Sequence, residues 1–312
     1  MANAETQKVD SILSSRRAML VLGGTALAGL AFAGKAQAQS TINDSDILNF
    51  ALNLEYLEAQ YYTLATTGKT IDQVGIGITS GSGAAGGTVT VKSNPMVPFV
   101  STVIAGYAAE TAGEEQKHVS FLRSALGMSA VAMPNIDLLN SFAALGTLIG
   151  VPGFDPFASD LNFLLGSYIF EDVGVTAYHG AAALLTTPAY LDAAAGIMAV
   201  EAYHAGLVRT VLYGMDAATP SAGINGLATK ISGVRATLDG TAASTPDDVG
   251  LGTVSVALNG SSANQTAATV VNADANALAF ARTTTQVLAI VYASASGTPG
   301  GFFPAGLNGT IK

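Results

Sequence analysis

Cysteine is absent from the 312-residue chain, and charged side chains make up only 11% of it. The lack of cysteine excludes disulfides, thiolate metal sites and cysteine nucleophiles. The scarcity of charge gives weight to any glutamate on an apolar helix face, because carboxylates are rarely buried unless a partner offsets their charge. With 49% hydrophobic residues the chain can still bury a large core, in one domain or in one domain with an appendage.

The first 38 residues carry the pattern of an export signal. Arg16 and Arg17 precede an apolar run over residues 18–34, and the Ala-Gln-Ala sequence at 36–38 has the small residues of a signal-peptidase site. The paired arginines resemble a twin-arginine signal, a route for already folded proteins. We therefore predict cleavage and a periplasmic or extracellular location. The alternative is an uncleaved membrane anchor, which the shortness of the apolar run disfavours.

Acidic residues outnumber basic ones in the predicted mature chain. Residues 1–38 contain four Lys or Arg and two Asp or Glu, so 9 basic and 20 acidic residues remain, a net charge of −11. Such a chain is repelled by nucleic-acid phosphates and by anionic membranes. We expect no nucleic-acid partner and no membrane partner after signal cleavage, while a homo-oligomer is compatible with the sequence.

Long helical patterns fill the region from residue 44 to residue 214. Their first turns contain residues typical of helix starts, and three of them end at a glycine. A short apolar helix at 135–149 is interpreted as the crossover between two halves. The sequence therefore predicts an all-α fold, a four-helix bundle with a long crossover. The predicted long helices span residues 46–67, 98–126, 155–185 and 188–214.

Two segments rich in Gly, Ser and Thr, at 70–97 and 240–270, are predicted to be irregular insertions. The first contains an alternating stretch at 88–91 that is typical of half a small hairpin, and the second predicts short strands near 253–258. Residues 215–312 are interpreted as a C-terminal extension. Its single predicted helix, at about 274–294, is expected to pack on the bundle and to pair Arg282 with an acidic group. The last residues, from 297, are expected to be irregular.

Two Glu-x-x-His sequences, ending at His118 and His204, are the chemically most informative feature. Residues three apart lie on one face of a helix, so each motif directs a carboxylate and an imidazole to the same place. The other two long helices each carry one glutamate within an apolar stripe. Glutamates from two helices and Glu-x-x-His from two others form a dinuclear metal site. The predicted ligands are Glu55, Glu115, His118, Glu171, Glu201 and His204.

These ligands suit iron or manganese, with zinc also possible in this set, and we predict two ions bridged by the motif glutamates. A pair of redox-active ions supports reactions of dioxygen or peroxide. Tyr62 and Tyr178 each follow a predicted ligand glutamate by seven residues, and we expect them to hydrogen-bond ligand carboxylates. Glu114 points about 100° away from its neighbour Glu115 and receives no role. His179 lacks the preceding glutamate and is interpreted as a capping or surface residue.

At these residues the sequence resembles the ferritin-like superfamily of four-helix di-iron carboxylate proteins, and more narrowly the exported desiccation-related ferritin-like proteins. The resemblance implies a ferritin-like bundle, the same six ligands and the two tyrosines beside them. It implies no particular reaction, and nothing indicates the short fifth helix of cage-forming ferritins. The matching stretches are DSDILNFALNLEYLEAQYY, AGEEQKHVSFLRSALG, FEDVGVTAYHGAA, AVEAYHAGLVR, ANALAFARTTTQVLAIVYA and GGFFPAGLNG.

Three functions are compatible with the sequence. The first is an exported dinuclear metal protein with oxidase, peroxidase or metal-sequestering activity, linked to stress or desiccation. The second is a metal-free structural or stress-protective bundle filled by hydrogen-bonded carboxylates and imidazoles. The third, a partner-binding surface protein, depends only on the two Gly/Thr-rich insertions. Metal content distinguishes the first two functions, because only a dinuclear site retains about two ions per chain.

Overall fold

The structure, a computed structural model, describes residues 42–241 and 247–312, so the predicted export signal lies outside the described residues. Within these ranges the chain forms seven α-helices and four short strands, and the predicted all-α fold is confirmed. The helices are α1 (Asp44–Thr67), α2 (Thr102–Leu126), α3 (Asn140–Ile149), α4 (Asp160–Ala182), α5 (Pro188–Ala218), α6 (Ile224–Leu238) and α7 (Thr284–Val291). The strands are β1 (Val89–Thr90), β2 (Ile136–Asp137), β3 (Thr253–Val256) and β4 (Gln265–Ala268).

Helices α1, α2, α4 and α5 form the bundle. Helix α1 packs along α2, helix α4 packs along α5, and α1 also contacts α4. Within the described chain, α2 and α5 make little direct contact with each other. The apolar core is continuous through the bundle and extends to residues of α6, α7 and the C-terminal tail. No helix in the described ranges has both the length and the apolar character needed to cross a membrane.

Helix α1 begins and ends where its sequence provides capping groups. The Asn43 side chain accepts a hydrogen bond from the Asp46 amide, and the Asp46 side chain accepts one from the Asn43 amide. This reciprocal arrangement satisfies two backbone donors that a helix start leaves free. Gly68 ends the helix with φ of 70°, a left-handed conformation that glycine adopts without strain. The helix between these caps carries Glu55 at its centre.

Helix α4 begins at Asp160, not directly after Asp155 as predicted. Asp155 instead forms a turn, in which its side chain accepts a hydrogen bond from the Phe157 amide at 2.9 Å. The Ser159 side chain caps the helix by accepting a hydrogen bond from the Asn162 amide. The turn after Asp155 therefore uses the residue that was predicted to start the helix, and the helix starts after Ser159 instead.

The pairing of the first strand is also different from the prediction. Strand β1 does not form a hairpin, because Val89 and Thr90 pair in parallel with Ile136 and Asp137 of β2. A parallel pair requires a long connection, which α2 provides. The strands predicted near residue 253 are confirmed, since β3 and β4 form an antiparallel pair.

In the second half of the chain, one helix was predicted too short and another was missed. Helix α5 continues to Ala218, past the predicted end at Gly214, because one glycine in a helix costs only about 1 kcal/mol. Helix α6 was not predicted. Its buried residues recur at helical spacing among small and polar residues that indicated a loose segment; they are Ile224, Ala228, Ile231, Ser232 and Arg235.

The predicted helix at 274–294 is confined to α7, and its first ten residues are not helical. Ala277 has φ of 58°, a conformation that interrupts a right-handed helix. Thr283 then caps α7. The segment before this cap lies directly on α4: a Cβ atom added to Gly180 would come within 1.9 Å of the Arg282 carbonyl oxygen. The Arg282 amide donates a hydrogen bond to the Thr176 carbonyl oxygen of α4 at 2.9 Å, so it has a partner outside its own segment.

Buried ion pairs hold the C-terminal extension to the bundle. Asp172 of α4 accepts hydrogen bonds at 2.8 Å from Arg209 and from Arg235. Arg235 also pairs with Asp248, at 2.6 Å. The expected pairing of Arg282 with an acidic group is confirmed. Arg282 has three acidic partners, all in the extension: Asp239, Asp247 and Asp248. Because an unpaired buried charge is strongly destabilising, these pairs fix α6 and the following loop against α4.

The C-terminal tail has no regular structure, as expected, but it is part of the core. Phe302 and Phe303 are buried, and the ring of Phe302 packs edge-on against Phe170 of α4. The backbone of Asn308 exchanges two hydrogen bonds with the Asn53 side chain on α1, at 2.9 and 3.0 Å. The tail therefore supports α1 two residues before Glu55.

Candidate metal centre

The structure brings the six predicted ligand residues together at the centre of the bundle. One comes from α1, two from α2, one from α4 and two from α5. Each is buried, with 8% of its surface or less exposed. Four carboxylates would not share an apolar interior without positive charge beside them. These residues are Glu55, Glu115, His118, Glu171, Glu201 and His204.

The Nδ1 atom of His118 faces three carboxylates from three helices. It lies 3.2 Å from Glu55, and it lies 3.5 Å from both Glu115 and Glu201. These four residues can place one ligand atom each within 4.8 Å of one another. They form the first of two groups that have the composition and spacing of a metal site.

The Nδ1 atom of His204 faces the other side of the same cluster. It lies 3.1 Å from Glu115 and 3.4 Å from Glu171. Glu171, Glu201 and His204 form the second group of potential ligands. Glu201 belongs to both groups, and Glu115 faces both imidazoles. These two glutamates therefore lie between the two groups of potential ligands, where they could contact a cation on either side.

Several ligand atoms in this cluster lack a hydrogen-bond partner although they are buried. His204 Nδ1 and Glu115 Oε1 are only 3.1 Å apart, yet their orientations do not form a hydrogen bond. Buried polar atoms are nearly always satisfied, so a group of unsatisfied ones requires a further partner. Oxygen and imidazole donors are the ligands of iron, manganese and zinc, and the donor set fits two such ions. The unsatisfied atoms are both oxygens of Glu115, both oxygens of Glu201, Glu171 Oε2 and His204 Nδ1.

Two tyrosines bind the remaining glutamates across the bundle. The Tyr62 hydroxyl on α1 donates to Glu171 Oε1 on α4, and the Tyr178 hydroxyl on α4 donates to Glu55 Oε1 on α1. Each tyrosine therefore contacts the glutamate of the opposite helix, and not the one seven residues earlier on its own helix. In both glutamates the other oxygen, Oε2, lies near an imidazole. The hydrogen bonds fix which oxygen faces the cluster.

Glu114, which received no role from the sequence, contacts one of the histidines. Its Oε2 atom lies 2.7 Å from His204 Nε2, and about a third of its side chain is exposed. A carboxylate accepts hydrogen bonds, so Nε2 carries the proton and Nδ1 is the nitrogen that can bind a metal ion. The 100° angle from Glu115 directs this side chain to α5, a placement that only the folded bundle reveals.

Residues 43–214 match the family model described as "Ferritin-like domain". The chain belongs to the ferritin-like family. The match covers the four bundle helices up to Gly214 and all six clustered residues. The predicted resemblance is thus confirmed at the level of the family.

Two relatives of this ferritin-like chain extend the comparison. Desiccation-related protein PCC13-62 of Craterostigma plantagineum is 34% identical over 177 residues, which cover 55% of this chain and 53% of the relative. The chain thus matches about half the length of that protein. Ferritin-like catalase Nec2 of Nesocodon mauritianus is 27% identical over 275 residues, which cover 86% of this chain and 84% of the relative. No solved structure gives a significant match.

The electrostatics of the ferritin-like site favour cations. Burial, followed by the charge of Glu115, raises the pKa of Glu55 to about 7. Burial and Glu115 also raise the pKa of Glu201 well above its ordinary value. Burial opposes ionisation of Glu115 itself, but the adjacent imidazoles of His118 and His204 outweigh burial and lower the pKa of Glu115 to about 2. In turn the carboxylates raise the pKa of both histidines despite their burial. Positive charge in this cluster is therefore strongly stabilised.

A fifth buried carboxylate, Glu58, was missed from the sequence. It lies three residues after Glu55 on α1 and is 6% exposed. Burial, followed by the charge of Glu201, raises its pKa well above the ordinary value. Glu58 lines a narrow apolar gap between α1 and α4, beside Gly174. The spacing of three residues that identified both histidine motifs would also have identified Glu58.

Gly174 leaves room for one of the bridging glutamates. A Cβ atom added at this position would lie 2.3 Å from Glu201 Oε2 and 3.1 Å from its Cδ. Any larger residue would therefore displace the carboxylate. The sequence shows a glycine in the middle of a long helix, where it is unfavourable by about 1 kcal/mol. The close approach of Glu201 explains why glycine occupies this position.

Proposed function

We propose that the chain is an exported dinuclear metal protein that converts two molecules of hydrogen peroxide into two of water and one of dioxygen, with manganese or iron as the metal. The observation that carries the proposal is the group of unsatisfied ligand atoms on Glu115, Glu171, Glu201 and His204. A bound pair of redox-active ions supplies the two-electron chemistry that this reaction requires.

The residues around the cluster have separate tasks in this function. Glu115 and Glu201 would be shared between the two cations, and each imidazole would bind through Nδ1. Glu114 orients His204, while Tyr62 and Tyr178 orient the terminal glutamates. The carboxylates would neutralise the charge of two divalent ions within an apolar interior.

The relatives favour peroxide as the substrate and stress as the setting. A protein named as a ferritin-like catalase matches 86% of this chain, including most of the extension. A second relative is named as desiccation-related. Export is supported by the pattern of residues 1–38. Changing Arg16 and Arg17 together to lysine should retain the precursor in the cytoplasm, whereas normal export of the variant would indicate the general secretory route.

The proposal is tested by loading the purified protein with Mn²⁺ or Fe²⁺ and recording oxygen evolution from hydrogen peroxide. Wild type should evolve oxygen in proportion to its metal content. Glu115→Gln should bind less metal and lose the activity, because the amide removes a bridging charge. Asp192→Asn, at an exposed position of α5, is the matched control and should behave like wild type. A fully loaded wild type without oxygen evolution would contradict the proposed reaction.

The alternative is a metal-free, stress-protective bundle. Its support comes from the hydrogen bonds of Tyr62 and Tyr178 to glutamates. The contacts of His118 with Glu55 and of His204 with Glu114 also satisfy part of the cluster without metal. A structural bundle should retain no metal after dialysis and should unfold at the same denaturant concentration with and without a chelator.

A further inference from the structure

A groove of about 570 Å³ opens between α2 and α5, the two bundle helices that make little contact. Glu114 and His204 both line it. The Nε2 atom of His204 contacts Glu114, whereas its Nδ1 atom faces the ligand cluster. The walls of the groove are mainly aromatic and aliphatic. They include Tyr107, Val200, Tyr203, Leu207 and Val211.

The groove is much larger than hydrogen peroxide requires. One water occupies about 30 Å³ of liquid volume, and peroxide has only one oxygen atom more. Pockets of roughly 300–1,000 Å³ with mostly apolar walls are typical sites for small organic molecules. The groove has both this size and this lining, so its dimensions are those of a site for an organic compound beside the metal centre.

The polar groups in the groove restrict which compound fits. Glu110 and Glu114 are four residues apart on one face of α2, and both line the groove. Among the described residues that line it there is no lysine or arginine. Carboxylates accept hydrogen bonds and repel anions. The tyrosine walls favour stacking with another aromatic ring. A neutral or cationic aromatic compound with hydroxyl or amino donors is therefore favoured over an anion.

The position of the groove connects this compound to the cluster. A ring bound beside Glu114 would contact this carboxylate and the Nε2 side of His204 without entering the buried ligand cluster. His204 is only 4% exposed and lies between the groove and the ligand cluster, so the ring would contact this imidazole and not the carboxylates behind it. An electron could transfer from the ring through the His204 side chain, whereas the organic molecule itself is too large to enter the buried cluster.

We propose that the groove binds an aromatic reductant of the phenol or arylamine type and gives the protein peroxidase activity. This inference rests on the proposed peroxide chemistry. One peroxide and two phenols yield two waters and two phenoxyl radicals. The O–O bond breaks, each phenol loses one electron and its hydroxyl proton, and both electrons and both protons enter the two waters. The arylamine loses an electron and an N–H proton in the same way.

The first test compares two phenols of opposite charge, tyramine and 4-hydroxyphenylacetate. Binding is measured by saturation-transfer NMR on the manganese-free protein, and oxidation by peroxide is measured on the manganese-loaded protein. Tyramine should bind about tenfold more tightly than the anion, because two carboxylates line the groove. Glu110→Lys should reverse this preference. Asp192→Lys makes the same charge change on α5 at an exposed residue that does not line the groove, and it should leave the preference unaltered.

The second test removes an aromatic wall. Tyr203 is 78% exposed, so Tyr203→Ala leaves the core intact. It should weaken tyramine binding about fivefold, the loss expected for one aromatic contact. The control is Phe121→Ala, which removes an exposed ring of α2 outside the groove.

The outcomes separate the groove from the peroxide chemistry. Equal binding of both phenols by wild type and Glu110→Lys would overturn the groove site. A dimer that Tyr203→Ala converts to a monomer, with tyramine binding unchanged, would also overturn it and identify the groove as an interface between copies. Tyramine binding that depends on Tyr203 and Glu110, in a loaded protein that evolves no oxygen, would support the site and overturn the peroxide chemistry.

Discussion

Tyr62 of α1 donates its hydroxyl hydrogen bond to Glu171 of α4. Tyr178 of α4 reciprocates by donating to Glu55 of α1. These two hydrogen bonds link the helices that each provide one glutamate of the cluster, and they hold both carboxylates in place in the absence of a metal ion. Preformed ligands reduce the conformational entropy lost on metal binding.

We expect Tyr62→Phe and Tyr178→Phe each to lower the affinity for Mn²⁺ by about tenfold, the usual effect of removing a hydrogen bond to a ligand. Phenylalanine preserves the packing, so the fold should be retained. The control is Tyr61→Phe, which removes a buried hydroxyl that donates to the Phe163 carbonyl oxygen at 2.7 Å, outside the cluster. It should reduce stability while leaving the affinity unchanged. Metal titrations that show equal losses in all three variants would contradict a role in positioning the ligands.

Glu114 should act as a positioning residue for His204. Glu114→Gln keeps a hydrogen-bond acceptor, whereas Glu114→Ala removes it and leaves the imidazole free to change its tautomer. We expect the affinity for Mn²⁺ to fall by about 10- to 100-fold in the alanine variant and by less in the glutamine variant. Isothermal titration calorimetry would measure both. The same affinity in wild type and Glu114→Ala would show that the 2.7 Å contact does not orient the ligand.

The metal-free protein should lose stability as the pH rises from 5 to 8. Burial raises the pKa of Glu55 to about 7, so the folded state binds more protons than the unfolded state between pH 4.5 and 7. The raised pKa values of Glu58, Glu201 and both histidines act in the same direction. Such a group stabilises the fold fully below its unfolded pKa, and this stabilisation is lost as the pH passes its folded pKa.

For Glu55 alone the expected loss is about 3 kcal/mol in the free energy of unfolding. Urea unfolding in the presence of a chelator would measure it at each pH. Glu55→Gln should make the free energy of unfolding less dependent on pH, because the amide does not titrate. A metal-free stability that rises between pH 5 and 8 would contradict the protonated state of the cluster. Manganese replaces these protons, so its affinity should increase over the same range.

Arg235 should be essential for attaching the extension. Removal of its side chain would deprive the buried carboxylates of Asp172 and Asp248 of a positively charged partner. Arg235→Ala should therefore lower the free energy of unfolding by about 3–5 kcal/mol. Lys230→Ala, on the exposed side of the same helix, should have little effect. Chemical denaturation of the two variants provides the comparison, and equal stability would mean that the extension is attached by other contacts.

Local spacing was sufficient to predict the helices that carry the site. Glu115 and His118 are related by a single helix turn, and so are Glu201 and His204; that relation requires no knowledge of the fold. The same rule extends to Glu58, which follows Glu55 by three residues and was overlooked. The bundle follows from the apolar faces of these helices, since the glutamates and histidines within those faces can be buried only against each other.

Contacts between segments that are distant in the sequence could not be predicted from it. The Glu114 contact to His204 depends on where α5 crosses α2, and the start of α7 depends on the approach of residue 282 to Gly180. Helix α6 was missed because its buried positions are separated by Asn, Gly and Thr, which weaken a helical pattern. Its stability comes from packing and from the Arg235 ion pairs, not from helix propensity.

The most direct test of the central claim is elemental analysis of the wild-type protein and of Glu115→Gln, both purified from the export compartment and dialysed. A dinuclear centre predicts about two manganese or iron ions per wild-type chain and a large loss in the variant. A wild-type protein that retains no metal, and that is equally stable with and without a chelator, would contradict the dinuclear centre.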